Sequence, residues 1–201
     1  ELRRDYAERK EAIRCRLDEF AAVRVESYFY ELVYCLMTPQ SSAVNAGKVV
    51  ALLQEAEMLH QELELEELLY RKEHYIRFHN TKAKRIREAR GQMPRIVEAI
   101  GSTPDSAELR AWLVKNVKGL GWKEASHFLR NIGRRDLAIL DRHILKNLRA
   151  HGALRSLPRT LTPKRYLSIE RSFRRFALRV GISMDELDLL FWSRETGQIL
   201  K

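Results

Sequence analysis

The stretch Val117-Lys118-Gly119-Leu120-Gly121-Trp122-Lys123-Glu124-Ala125-Ser126-His127-Phe128-Leu129, followed by Ala138-Ile139-Leu140-Asp141-Arg142-His143-Ile144-Leu145, decides the reading of this chain. Two glycines flanking one apolar residue let the backbone turn tightly with positive φ, and they leave amide N–H groups bare at the start of the next helix. Such a nest takes a phosphate. Leu120 is placed to plug the hairpin into a core, and Ala125 is small enough for two helices to approach closely. Lys123 opens the second helix, and Asp141 stands 18 positions beyond it. Asp-Arg-His-Ile-Leu is a good helix start in which the Asp141 carboxylate caps free amides. A Gly-x-Gly turn by itself occurs in many unrelated proteins, whereas hairpin, lysine and aspartate at this spacing form a catalytic layout.

Outward from this core, apolar residues recur at three and four positions, strict alternation is rare, and turn residues are spaced as in a helical protein. The fold is predicted to be all-α. The pattern predicts helices over 2–20, 25–36, 41–58, 62–72, 82–99, 105–116, 122–132, 142–151, 163–180 and 184–197. At 201 residues the chain can bury a substantial core, as one compact unit or two small lobes. It carries 37 Lys and Arg against 27 Asp and Glu, a net charge of +10. A positive surface attracts phosphate backbones at long range, although charge alone is also what solvated helix faces carry. Cys15 and Cys35 cannot make a disulfide framework and are expected as reduced, buried thiols; two cysteines also exclude a four-cysteine iron–sulfur cluster. No apolar run approaches the ~20 residues that cross a bilayer, so no membrane partner is expected, and with reduced thiols a cytoplasmic location is expected.

On the hairpin, Lys123 and Asp141, the chain resembles the helix-hairpin-helix DNA glycosylase superfamily. Gly119 to Arg130 followed by Ala138 to Asp141 look most like the type 2 (archaeal-type) 8-oxoguanine DNA glycosylase and lyase. The resemblance implies two interwoven helical lobes with the active site in a cleft between them. One lobe is expected from 1–36 and 152–201, the other from 37–151, with the helix-hairpin-helix at about 105–132. It implies double-stranded DNA containing 8-oxoguanine as partner, a monomeric protein, and no required cofactor or metal. A monovalent cation on the hairpin carbonyls is implied as an accessory to phosphate binding.

Base excision builds positive charge on the sugar and negative charge on the departing base, needs that a carboxylate and an amine meet. Lys123 is expected to attack the anomeric carbon, release the base and hold the sugar as a Schiff base, from which the 3′ phosphate leaves by β-elimination. Asp141 is expected to stabilise the oxocarbenium-like sugar and to orient or deprotonate the amine. An ordinary lysine pKa is about 10.4, so burial or cationic neighbours are needed, and Lys118 and Arg142 are the candidates. Taken singly, Lys123 could be a solvated helix lysine and Asp141 only a cap. His127 and His143 lack metal-ligand spacing and are expected to be structural.

The target base is inaccessible in a stacked duplex and must be extruded, with something filling the gap. In Met37-Thr38-Pro39-Gln40-Ser41-Ser42-Ala43, Gln40 stands at the inserting position by resemblance; the same residues could be a turn capped by Ser41 or Ser42. The stretch 75–85 interleaves aromatics and cations, which suits stacking and phosphate contact, and Phe78, His79 and Lys82 are its candidate DNA contacts alongside Gly119, Gly121 and Lys118. Trp192 matches a position that lines the base pocket in relatives. 8-Oxoguanine gains a hydrogen on nitrogen 7, so its recognition needs an acceptor, and the carboxylate and ammonium of Lys201 are expected to supply acceptor and donor. Two alternatives stay open: a superfamily enzyme for another damaged base, and a non-catalytic helix-hairpin-helix DNA-binding module.

Overall fold

The computed structural model describes residues 1–199, and no strand occurs among them. Ten helices follow one another: α1 (Leu2–Ala21), α2 (Tyr28–Met37), α3 (Ala43–Glu55), α4 (Leu65–Tyr70), α5 (His79–Ser102), α6 (Ser106–Asn116), α7 (Trp122–Asn131), α8 (Arg142–Ala150), α9 (Pro163–Val180) and α10 (Met184–Thr196). Short 3-10 turns precede α2 and α5. Local chemistry explains most boundaries. Ser42, Asp105, Thr162 and Ser183 each accept a backbone N–H three residues on, and Ser183 with Glu186 completes a reciprocal capping box. Pro163 sits in the first turn of α9, where its missing N–H costs nothing, and Gly181 ends that helix in the left-handed conformation.

The chain divides into two compact units, residues 1–23 with 129–201 and residues 24–128. The expected division, 1–36 with 152–201 against 37–151, differs at both cuts. Packing accounts for the difference. α2, apolar but for Glu31, buries Phe29, Leu32, Val33, Leu36 and Met37, which commits it to α3 and α5 in the second unit. α8 packs on α10, which draws residues from 129 onward into the first unit.

In the second unit α2 lies against α3 and α5, α4 against α5, and α5 against α6. In the first unit α10 is packed by α1, α8 and α9. Gly133, at φ 87°, lets the turn after α7 pass Ala21, since a Cβ there would stand 2.8 Å from the Ala21 Cα. Cys35 is buried as expected, whereas Cys15 is exposed, because it falls on the solvent side of α1 opposite Ile13, Leu17 and Phe20. No helix among the described residues is long and apolar enough to cross a membrane.

Candidate active site

The hairpin joins α6 to α7; it lies in the second unit with residues 122–128 of α7, while the last turn of α7, from Leu129, belongs to the first. Gly119 has φ 94°, and a Cβ on it would stand 2.6 Å from Arg85 Cδ and 3.1 Å from Leu36 Cδ2. Gly121 departs from expectation. It does not have positive φ, and a Cβ on it would meet only the end of the Glu124 side chain, at 2.8 Å from Oε2. Leu120 is buried, as its plugging role requires, and its N–H donates to the Val117 carbonyl at 3.3 Å. Gly119→Ala is therefore expected to cost about 1–2 kcal/mol, the left-handed penalty of an L residue, and to weaken duplex binding. Gly121→Ala should cost less. Chemical denaturation of the two variants checks the order, and equal stabilities would mean that the turn is not held by Gly119.

Arg110 supports α7 from α6: it is fully buried, donates to Ser126 Oγ at 3.1 Å, and lies 4.9 Å over the Trp122 ring. Lys123, next along, is half-buried, and its Nζ stands 3.2 Å from Glu124 Oε1. Glu124 was not anticipated, although a carboxylate in the first turn of a helix is favoured there by the dipole. Lys118, expected as a cationic neighbour, is instead largely exposed and pairs loosely with Glu88, at 3.4 Å.

The cations beside Lys123 come from α5. Lys82 is 2 % exposed, and its Nζ donates to the Met37 carbonyl at 2.6 Å, the Pro39 carbonyl at 2.7 Å and Ser41 Oγ at 3.0 Å. All three ammonium protons are thus spent on the loop that carries Gln40, which corrects the expectation of a phosphate contact. Burial, followed by the charge of Arg85, pulls Lys82 down to about 8; Glu124 opposes this and Lys123 adds to it. The ammonium still dominates at neutral pH. Lys82→Met is expected to take the ammonium from the Met37 and Pro39 carbonyls and leave Ser41 Oγ to the Arg77 N–H alone, to destabilise by about 3 kcal/mol, and to lower 8-oxoguanine excision more than cleavage at a preformed abasic site. Parallel assays on the two substrates check this, and an unaltered ratio would mean the loop does not depend on Lys82.

Gln40 on that loop is exposed at φ 55°, and Phe78 before α5 is 51 % exposed at φ 61°. Both are strained for non-glycine residues, a condition that persists only where surroundings enforce it. For Gln40 the surroundings are the Lys82 clamp and Ser41 Oγ, which also accepts from the Arg77 N–H at 2.9 Å. Ser42, and not Ser41, caps α3. The Arg77 guanidinium lies 4.9 Å from the Phe78 ring centre, and the His79 ring packs against Tyr70 and Tyr75.

Asp141 belongs to the first unit and both its carboxylate oxygens are occupied. Oδ1 accepts the N–H groups of His143 and Ile144, each at 2.8 Å, and so caps α8. Oδ2 accepts the indole N–H of Trp192 at 2.8 Å. Trp192 is therefore more than packing on the last helix. The segment before Asp141 is fixed from α9: the Ala138 N–H donates to Glu170 Oε2 at 2.8 Å, and Tyr166 Oη donates to the Ala138 carbonyl at 2.5 Å and accepts the Leu140 N–H at 3.3 Å. One turn before Trp192, Asp188 is buried and pairs with Arg130 Nη1 at 2.5 Å. Burial pushes Asp188 up to about 7; Arg130 opposes it, and the charge of Asp141 adds to it. His143 lies edge-on to Trp192 at 5.2 Å and its Nδ1 is 3.5 Å from Glu195, while His127 lies edge-on to Tyr34 at 5.7 Å. Lys201 lies outside the described residues.

A glycine hairpin between two helices, followed by a lysine, places the second unit in the helix-hairpin-helix class. The sequence model for 8-oxoguanine DNA glycosylase matches residues 13–182. The chain is 41 % identical to an 8-oxoguanine DNA glycosylase/AP lyase of Fusobacterium nucleatum, over 100 % of this chain and 96 % of the relative. It is 43 % identical to one of Korarchaeum cryptofilum, over 96 % and 91 %. The crystal structure of the Methanocaldococcus jannaschii 8-oxoguanine DNA glycosylase matches with a TM-score of 0.88 at 34 % identity, covering 100 % of this chain and 95 % of that one. A structure of the same organism's glycosylase/lyase with 15mer DNA containing 8-oxoguanine matches at 0.87 and 34 %, covering 98 % of each chain. The chain belongs to the 8-oxoguanine DNA glycosylase family.

Proposed function

We propose that this chain is a base-excision repair enzyme that extrudes 8-oxoguanine from duplex DNA, excises it, and cleaves the abasic site by β-elimination. The observation that carries the reading is the fixation of Asp141, whose two oxygens are held by the α8 cap and by Trp192. A cap alone needs one oxygen. The second bond aims the carboxylate and keeps it an acceptor, as a group that must stabilise a cationic sugar requires.

The Lys123 amine attacks the anomeric carbon, the glycosidic bond breaks, and the base departs with a proton. The sugar then opens to a Schiff base on Lys123. Loss of a proton from carbon 2′ expels the 3′ phosphate, and water releases the enzyme. Glu124, 3.2 Å from the amine, holds it at rest. Gln40 fills the space left by the extruded nucleotide, Phe78 and His79 face the DNA, and the Gly119 hairpin with Gly121 and Lys118 takes a phosphate. Trp192 lines the base pocket. A monovalent cation on the hairpin carbonyls, among them that of Val117, which accepts the Leu120 N–H at 3.3 Å, assists phosphate binding. The protein acts as a monomer, in the cytoplasm on nucleoid DNA.

Incubation with an 8-oxoguanine duplex and borohydride tests the reading. A covalent adduct is expected from reduction of the Schiff base. Trapping on an oxidised pyrimidine but not on 8-oxoguanine would favour another lesion, and binding without any trapping would favour a non-catalytic module.

A further inference from the structure

The positive charge of this protein is concentrated in one part of it. Between Arg142 and Ile182 there are eleven lysines and arginines and a single carboxylate, Glu170, a net of +10 that equals the net charge of the whole chain. The remainder is balanced. Glu170 does not offset the surface charge either, since it is buried and accepts the Ala138 N–H.

α9 organises this charge. Its inner side buries Tyr166, Ile169, Glu170, Phe173, Phe176 and Ala177. Tyr166 and Glu170 grip residues 138–140, the segment that leads to Asp141. On the opposite side Lys164, Arg171, Arg175 and Arg179 are all exposed. They are spaced seven, four and four residues apart, which at 3.6 residues per turn makes one stripe about 22 Å long. None of the four forms an ion pair among the described residues; Arg175 reaches only Ser172 Oγ, and Arg179 lies over the Phe176 ring. Like charges four residues apart destabilise a helix, and an idle solvated face ordinarily alternates them with glutamates. Here no glutamate intervenes. The loop leading into α9 adds exposed Arg155 and Arg159, again with no carboxylate nearby in sequence.

We infer that the outer face of α9 is a second binding surface for the phosphate backbone of duplex DNA, separate from the one that presents a base to Asp141. The inference rests on the DNA-repair reading above. A 22 Å stripe spans roughly six base pairs along a duplex axis. It faces away from residues 138–141, so it takes a different stretch of DNA from the one being repaired. Contacts of this kind are sequence-independent, and they suit an enzyme that must stay on long DNA while it searches.

The test uses the full chain, trapped with borohydride on a short 8-oxoguanine duplex so that the repair site is filled, and then titrated with a labelled undamaged duplex. The trapped protein is expected to bind the second duplex, with an affinity that falls steeply between about 50 and 200 mM salt. Lys164→Gln/Arg171→Gln/Arg175→Gln/Arg179→Gln should trap at the parent rate but show a log–log salt slope shallower by about 3.6, four cations at about 0.9 each. A trapped parent that binds no second duplex, or a variant with the parent slope, would overturn the inference, as would equal binding and slope for a labelled polyglutamate. Failure to trap at all would count against the repair reading instead. In that event the slopes of untrapped parent and variant on undamaged duplex still decide the surface.

Discussion

Lys123→Gln is expected to abolish base release and borohydride trapping while duplex affinity changes little. Glutamine preserves bulk and polarity at a half-buried position in the first turn of α7, so the hairpin before it and the Arg110–Ser126 contact after it stay in place. What is lost is the amine assigned to the Schiff base. Glu124 loses its 3.2 Å ion-pair partner, a partly exposed interaction of small worth. Stability should therefore stay within about 1 kcal/mol of the parent. Trapping gels on an 8-oxoguanine duplex, read beside anisotropy on the same DNA, give the result. An adduct at the parent rate would remove Lys123 from the chemistry, and a parallel collapse of binding would show a structural role instead.

Asp141→Asn is expected to lower turnover about 10²–10⁴-fold, the range ascribed to a positioned acid–base group. The structure adds a stability effect that capping alone does not suggest. Asparagine can keep its carbonyl on the His143 and Ile144 amides, but its NH₂ then faces the indole N–H of Trp192, donor against donor. Breaking that bond in a half-buried place costs about 1–3 kcal/mol. For a chain of this size that lowers Tm by about 2–4 °C per kcal/mol. Single-turnover excision and a thermal melt on one preparation separate the two effects. A folded variant of full activity would leave Asp141 as a cap and nothing more.

The two expectations draw on different kinds of information. That Asp141 starts a helix follows from five consecutive residues, and so do the Ser183–Glu186 box and the Pro163 start, because a cap joins groups within one turn. The ten helices were legible for the same reason: their apolar spacing is a local record of which side is buried. α3 ends at Glu55 and not 58, α4 begins at Leu65 and not 62, and α5 runs to Ser102 and begins at His79 and not 82, where Phe78 takes the left-handed conformation that glycine would have signalled. Gly119 and Gly121 looked equivalent in the sequence, yet only the first has positive φ; the Gly121 carbonyl already accepts the Ala125 N–H at 2.9 Å, so Gly121 stands where α7 begins, a position that takes negative φ.

By itself the sequence determined an all-α chain, a hairpin with Lys123 at its end and Asp141 18 positions on, and a large positive charge. Tertiary structure alone decided what those groups touch. The Trp192–Asp141 bond joins residues 51 positions apart, and Arg130–Asp188 joins residues 58 apart, so neither leaves a periodic trace. Lys82 read as a phosphate contact because a lysine among aromatics is usually solvated; three backbone and hydroxyl acceptors converge on it only after α2 and its loop have packed on α5. The division at 23/24 and 128/129, in place of 36/37 and 151/152, has the same origin. A helix records along its own length how much of it is buried, but the partner that buries it is chosen by shape and volume across the core, and that choice sets which unit it joins.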